Sequence, residues 1–226
     1  MSYPYLYGQY FVALESELEA TTRYVECCEE NYSNPCRSRK FFTPPQPSPR
    51  HRGGSKTFTN DLGLLYNTYS VAYAQIILSA GSEVDVVSKL ICNDVQSKNK
   101  AKNIDDYIKI LHSEYKGLHN LGILIPRYNK LPLTPWDSWV SGKNPDWWKL
   151  SNKIKHQRHD FYKEANLKNA LFSLSGLFCL VLYYYRQQLR ANDLQPWPKL
   201  LTIDLELNPR ISNDRRPGYI LPEFQK

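Results

Sequence analysis

Apolar residues recur at helical spacing over most of the chain, and the pattern predicts four to five long helices. Phe11, Leu14, Leu18, Thr22 and Val25 fall at steps that line one face, so a first amphipathic helix is expected from Gln9 to Tyr32. A second is expected from Thr68 to Val95, with Tyr69, Tyr73, Ile76, Ile77, Ala80, Val84, Val87, Leu90 and Ile91 on its apolar face. A third spans Asn103–Tyr115 with Ile104, Tyr107, Ile108 and Leu111 inward. Prolines at 126, 132 and 135 then make Ile123–Trp139 an ordered irregular crossing.

Asn144-Pro145-Asp146 reads as a helix start, with Asn as N-cap, Pro at the first position and an acid facing the positive dipole end. It opens a fourth helix that runs to Arg158. A fifth, Ala165–Arg190, is apolar nearly all round, through Leu167, Ala170, Leu171, Leu174, Leu177, Phe178, Val181, Leu182 and Tyr185. Its unbroken run from Ala170 to Tyr185 is 16 residues. At ~1.5 Å per residue that is short of a ~30 Å hydrocarbon core, so a buried central helix is expected and no membrane span. The fold class is therefore all-α, an up-and-down bundle of four to five helices with an extended proline-rich C-terminal tail. Within the tail, Leu201–Leu207 alternates and reads as a lone strand or an arm packed on the bundle or on a partner.

The helical pattern collapses once. From Phe41 to Gly54 the chain is rich in Pro, Gly and Arg without periodicity, a composition that cannot bury a core. Tyr-Asn-type words flank it, Asn31-Tyr32-Ser33 before and Tyr66-Asn67-Thr68-Tyr69-Ser70 after. The organisation expected is residues 1–33 as first helix, 34–65 as a disordered basic insertion, 66–192 as the rest of the bundle and 193–226 as tail. Long insertions between helices cost little stability.

Charge changes meaning once it is located. The 226-residue chain carries a formal +7. Arg37, Arg39, Lys40, Arg50, Arg52 and Lys56 lie between Asn34 and Asn60 with no acid among them, so the insertion accounts for nearly all of the excess. General basicity is thus weak support for a nucleic-acid partner. The five cysteines are odd in number and scattered, and Met1–Tyr10 lacks a basic start and apolar run, which points to reduced thiols in a cytoplasm.

Candidate chemistry concentrates in the fourth helix. Asn152, Lys155, His156 and His159 stand at i, i+3, i+4, i+7, with Arg158 just off the stripe and Trp147, Leu150 and Ile154 on the anchoring side. Arg and Lys complement phosphoryl oxygens and His titrates near neutral pH, so the set suits phosphate binding with proton transfer beside it. Cleaving RNA without metal needs a base for the 2′-hydroxyl, an acid for the leaving oxygen and cations for the phosphorane. The competing reading of the stripe is a solvated helix face. Metal ligation by the His pair is not expected, because one acid, Asp160, adjoins it. No cofactor-binding glycine loop and no Ser or Cys nucleophile motif is present. In the second helix, Asp85 and Lys89 read as a surface ion pair, and Glu83 as a group that turns towards His156 or Lys155.

Trp147-Trp148-Lys149-Leu150-Ser151-Asn152-Lys153-Ile154-Lys155-His156-Gln157-Arg158, followed by Ala165-Asn166-Leu167-Lys168-Asn169-Ala170-Leu171, resembles the HEPN superfamily. The likeness also takes in Gly81–Lys89 and the first helix. It implies a helical bundle, a homodimer, and in active members a composite site that cleaves RNA without metal through an Arg-x4-6-His motif. On that resemblance His156 is the catalytic histidine. Lys149, with six residues between, or Lys155 takes the place of the arginine, which is absent from the motif's spacing. RNA, a second copy of the chain, and a protein partner or antitoxin are the partners implied. The alternative class is a catalytically silent helical module that binds a protein partner or a nucleotide.

Overall fold

The computed structural model describes residues 6–22, 68–97, 100–125, 133–186 and 198–203. They form five α-helices: α1 Leu6–Thr22, α2 Val71–Val95, α3 Ile104–Glu114, α4 Asp146–Phe161 and α5 Leu167–Tyr184. Two short strands, β1 Ile123–Leu124 and β2 Thr202–Ile203, pair antiparallel. Residues 23–33, with Cys27 and Cys28, the expected insertion 34–65 with Cys36, the expected continuation of the fifth helix over 187–190 and the tail from 204 onwards lie outside the described residues.

Local chemistry sets most helix starts. Ser70 caps α2 by accepting from the Tyr73 amide at 3.1 Å. Asn103 caps α3 through the Asp106 amide at 3.1 Å, with Asp105 and Asp106 in the first turn. Asn166 caps α5 through the Asn169 amide at 3.0 Å. Each satisfies an amide the helix leaves unpaired. Asn144 does not do this for α4: Pro145 is the N-cap residue, with no side-chain cap. The Asn144 amide turns instead to α3 and donates to Asp105 at 2.7 Å.

α5 is the central element, with fourteen buried residues from Leu167 to Tyr183. It packs along α2, and α1 and α4 lie against both. α3 covers α2. Phe11 of α1 stacks on Phe178 of α5 at 4.9 Å between ring centroids. Among the described residues α5 is the one helix long and apolar enough to cross a membrane (mean hydropathy 1.4), and 78% of that stretch is buried against the other elements. Tyr69 departs from its expected place: it precedes α2, is 45% exposed and meets Tyr162 edge-on at 5.4 Å. Its segment is pinned to the start of α5 by Ser70 N–H to Ala165 O at 3.2 Å and Leu167 N–H to Thr68 O at 2.9 Å.

The proline-bearing crossing supplies much of the core. Trp136 and Trp139 are buried beside Trp147. The Trp136 indole donates to Gly176 O at 3.1 Å, and the Trp147 indole to Pro135 O at 2.9 Å. Trp147 sits where α5 has no side chain, since a Cβ on Gly176 would fall 2.5 Å from the indole Cζ2.

Residues 198–203 lie against the helices as an arm. Ile203 pairs with Ile123 and Thr202 with Leu124. Glu15, on the apolar face of α1 and 2% exposed, accepts from the amides of Lys199 at 2.8 Å, Leu200 at 2.7 Å and Leu201 at 2.9 Å. A buried carboxylate needs such donors, and a strand end needs such an acceptor.

Candidate functional site

α4 buries Trp147, Trp148, Leu150, Ser151 and Ile154 and turns its polar residues outward. The predicted stripe is not continuous. Gln157 has φ −139° and ψ 51°, a kink that separates Asn152, Lys155 and His156 from Arg158 and His159. Residues four apart align only while the helix is regular.

Between α2 and α4 runs a groove of about 490 Å³, walled by Leu78, Ser82, Asp85, Trp148, Asn152 and Lys155 among others. Close approach of the helices makes its floor: a Cβ on Gly81 would stand 2.9 Å from Ser151 Cβ and Oγ. The Ser151 hydroxyl is turned back onto Trp148 O at 2.7 Å. Of the residues singled out from sequence, Asn152, Lys155 and Asp85 meet in this groove.

Asp85 does not pair with Lys89. It lies instead by the Tyr107 phenol of α3, where burial followed by the charge of Asp85 pushes that phenol up to about 12. Glu83 is half-buried off the groove, and desolvation raises its carboxyl above the ordinary value. His156 and Arg158 are exposed, and His156 has no hydrogen-bond or ion-pair partner among the described residues. His159 reaches its neighbour Asp160 at 3.1 Å. Lys149 lies on the other flank of α4, ion-paired with Asp146 at 3.1 Å.

That flank holds a second cavity of about 280 Å³, where Lys143 and Lys168 join Lys149. Sequence reading missed those two lysines because 143 and 168 belong to different elements. Gly81 inside a helical pattern was the one visible signal for the groove, as a place where a neighbouring side chain packs close. Among the described residues no three His, Cys, Asp or Glu side chains are grouped to hold a metal ion.

The arrangement suits binding a polar ligand more than moving a proton, since one cation, Lys155, and an amide converge opposite the Asp85 carboxylate while the exposed His156 imidazole has no group among the described residues to orient it. The class defined so far is a five-helix protein with a polar groove along its fourth helix. No protein-family model, no curated protein and no solved structure matches the chain, so the HEPN-like resemblance rests on the residue pattern alone.

Proposed function

We propose that this chain is a cytoplasmic, HEPN-like RNA-binding protein, an up-and-down bundle acting as a homodimer, whose contact surface is α4. The observation that carries the reading is the convergence of Asn152 and Lys155 on one groove, with exposed His156 and Arg158 continuing the polar surface beyond it. Lys155 and Arg158 take phosphate oxygens, and Asn152 takes a base edge or a ribose hydroxyl. Trp148 gives the groove an aromatic wall.

A salt series of binding to a labelled mixed-sequence single-stranded RNA tests this. Replacing Lys155 and Arg158 by Gln together is expected to weaken binding and to flatten the dependence of log K on log salt by about 1.4, or ~0.7 for each phosphate left without its cation. An unchanged slope and affinity would sink the reading.

Cleavage is a second reading, favoured by the exposure of His156 directly beside Lys155. In that reading His156 exchanges the proton and a second copy of α4 supplies the missing partner group across the dimer. Incubation with RNA in EDTA is expected to yield 2′,3′-cyclic phosphate ends, which His156→Ala no longer produces. Equal background from both proteins removes cleavage and leaves binding standing.

A further inference from the structure

The second cavity gathers cations that the sequence scatters. Lys143 follows the 3₁₀ turn Asp137–Ser141, Lys149 is on α4 and Lys168 is on the first turn of α5. Gly142, at φ 68°, lets the chain leave that turn and carry Lys143 to the cavity. Lys149 is committed to Asp146. Lys143 and Lys168 are exposed and have no ion-pair partner among the described residues, although Asp137 shares the wall. Two polar atoms of the same wall are buried without a hydrogen-bond partner: Ser138 Oγ, a hydroxyl able to donate to an anion, and Asn144 Oδ1, which only accepts. Buried polar atoms are ordinarily satisfied, so an orphan hydroxyl beside two unpaired cations marks a place for an anion.

At 3.6 residues per turn, the groove residues Trp148, Ser151, Asn152 and Lys155 occupy one flank of α4, and Asp146 and Lys149 the other. Exposed His156 forms the crest between them. From this we infer that the second cavity is a phosphate subsite, and that a single RNA strand crosses over α4 instead of running along it. One phosphate is held by Lys155 at the groove, and a further one by Lys143 and Lys168. A helix is about 10 Å across, a span that a short stretch of single strand bridges. This inference rests on the RNA-binding reading of α4.

The test is the salt dependence of binding to a mixed-sequence single-stranded RNA of about 12 nucleotides, a length within ordinary single-strand site sizes. The proteins compared are the full-length wild type, the double variant Lys143→Gln/Lys168→Gln, and Lys116→Gln, an exposed lysine that lines neither cavity. With one phosphate no longer neutralised, the slope is expected to flatten by about 0.7 in the double variant, so that the wild-type advantage shrinks roughly 2.6-fold between about 50 and 200 mM salt. Lys116→Gln is expected to keep the wild-type slope. Wild-type binding with an unchanged slope in the double variant overturns the subsite while leaving the α4 reading intact. An equal change in Lys116→Gln also overturns it, because the effect is then a diffuse field. Absence of RNA binding by the wild type overturns the α4 reading, and the subsite with it.

Discussion

Replacing Glu15 by Gln isolates what holds the C-terminal arm to the helices. The carboxylate accepts three backbone amides, two at one oxygen and the Lys199 amide at the other. Gln keeps the shape but turns one oxygen into a donor, so one bond disappears and the charge assistance of the others with it. Bonds to a charged group contribute about 1.5–3 kcal/mol each and neutral ones about 0.5–1.5 kcal/mol. Removing one and weakening two comes to about 4 kcal/mol, and water reaching the exposed Lys199 lowers this to about 3 kcal/mol. For a chain of this size the melting midpoint is expected to fall by roughly 6–12 °C. Hydrogen exchange then locates the damage. The amides of Leu200 and Leu201, buried and bonded to Glu15 Oε1, are expected to exchange roughly 100-fold faster. A variant that melts within about 2 °C of wild type, with Leu200 and Leu201 still protected, would refute the reasoning.

Gly176→Ala drives a methyl group into the Trp147 ring, which its bond to Pro135 O holds in place. Overpacking and strain on that bond outweigh the ~1 kcal/mol gain in helix propensity, for a net loss of about 2 kcal/mol, read from urea midpoints. Burial, and then the neighbouring His112 ring at 5.4 Å, hold the His119 imidazole below its ordinary value. A lowered folded value means the unfolded chain takes up the proton first. Stability is therefore full above the unfolded pKa of about 6.5 and falls as pH drops below it, and His119→Gln is expected to flatten that slope in urea titrations at several pH values. Cys92 and Cys179 are buried thiols, with Cys92 pushed up to about 11 by desolvation. Peptide mapping after mild alkylation at neutral pH is expected to find both unmodified until the chain unfolds; labelling in the native state would show that the α2 and α5 core opens.

The helical character was legible because each helix carries its own information. Periodic apolar positions, and caps such as Ser70, Asn103 and Asn166, act within a few residues of chain, and each of the five described helices overlaps a stretch that this pattern marks, α1 from Leu6 to Thr22 instead of from Gln9. Asn144 departs from expectation for the same reason: a local rule makes it the α4 cap, and a side chain distant in sequence, Asp105, takes its amide instead. Glu15 offered only the hint of an acid on an apolar face, since the amides it binds stand more than 180 residues away.

The candidate site divides along the same line. That polar chemistry gathers on α4 is a property of the sequence alone, because the spacing of Asn152, Lys155 and His156 is fixed by helix geometry. Tertiary structure decided which of those residues share a space. The kink at Gln157 turns Arg158 and His159 out of the stripe, and the small residues Gly81 and Ser151 let α2 come close enough to make a groove. Packing of α4 against α5 brings Lys143 and Lys168 to one cavity. Helix periodicity is a short-range property that any stretch of chain declares for itself. Grooves and cation clusters depend on how close distant segments come, and that distance is set by packing.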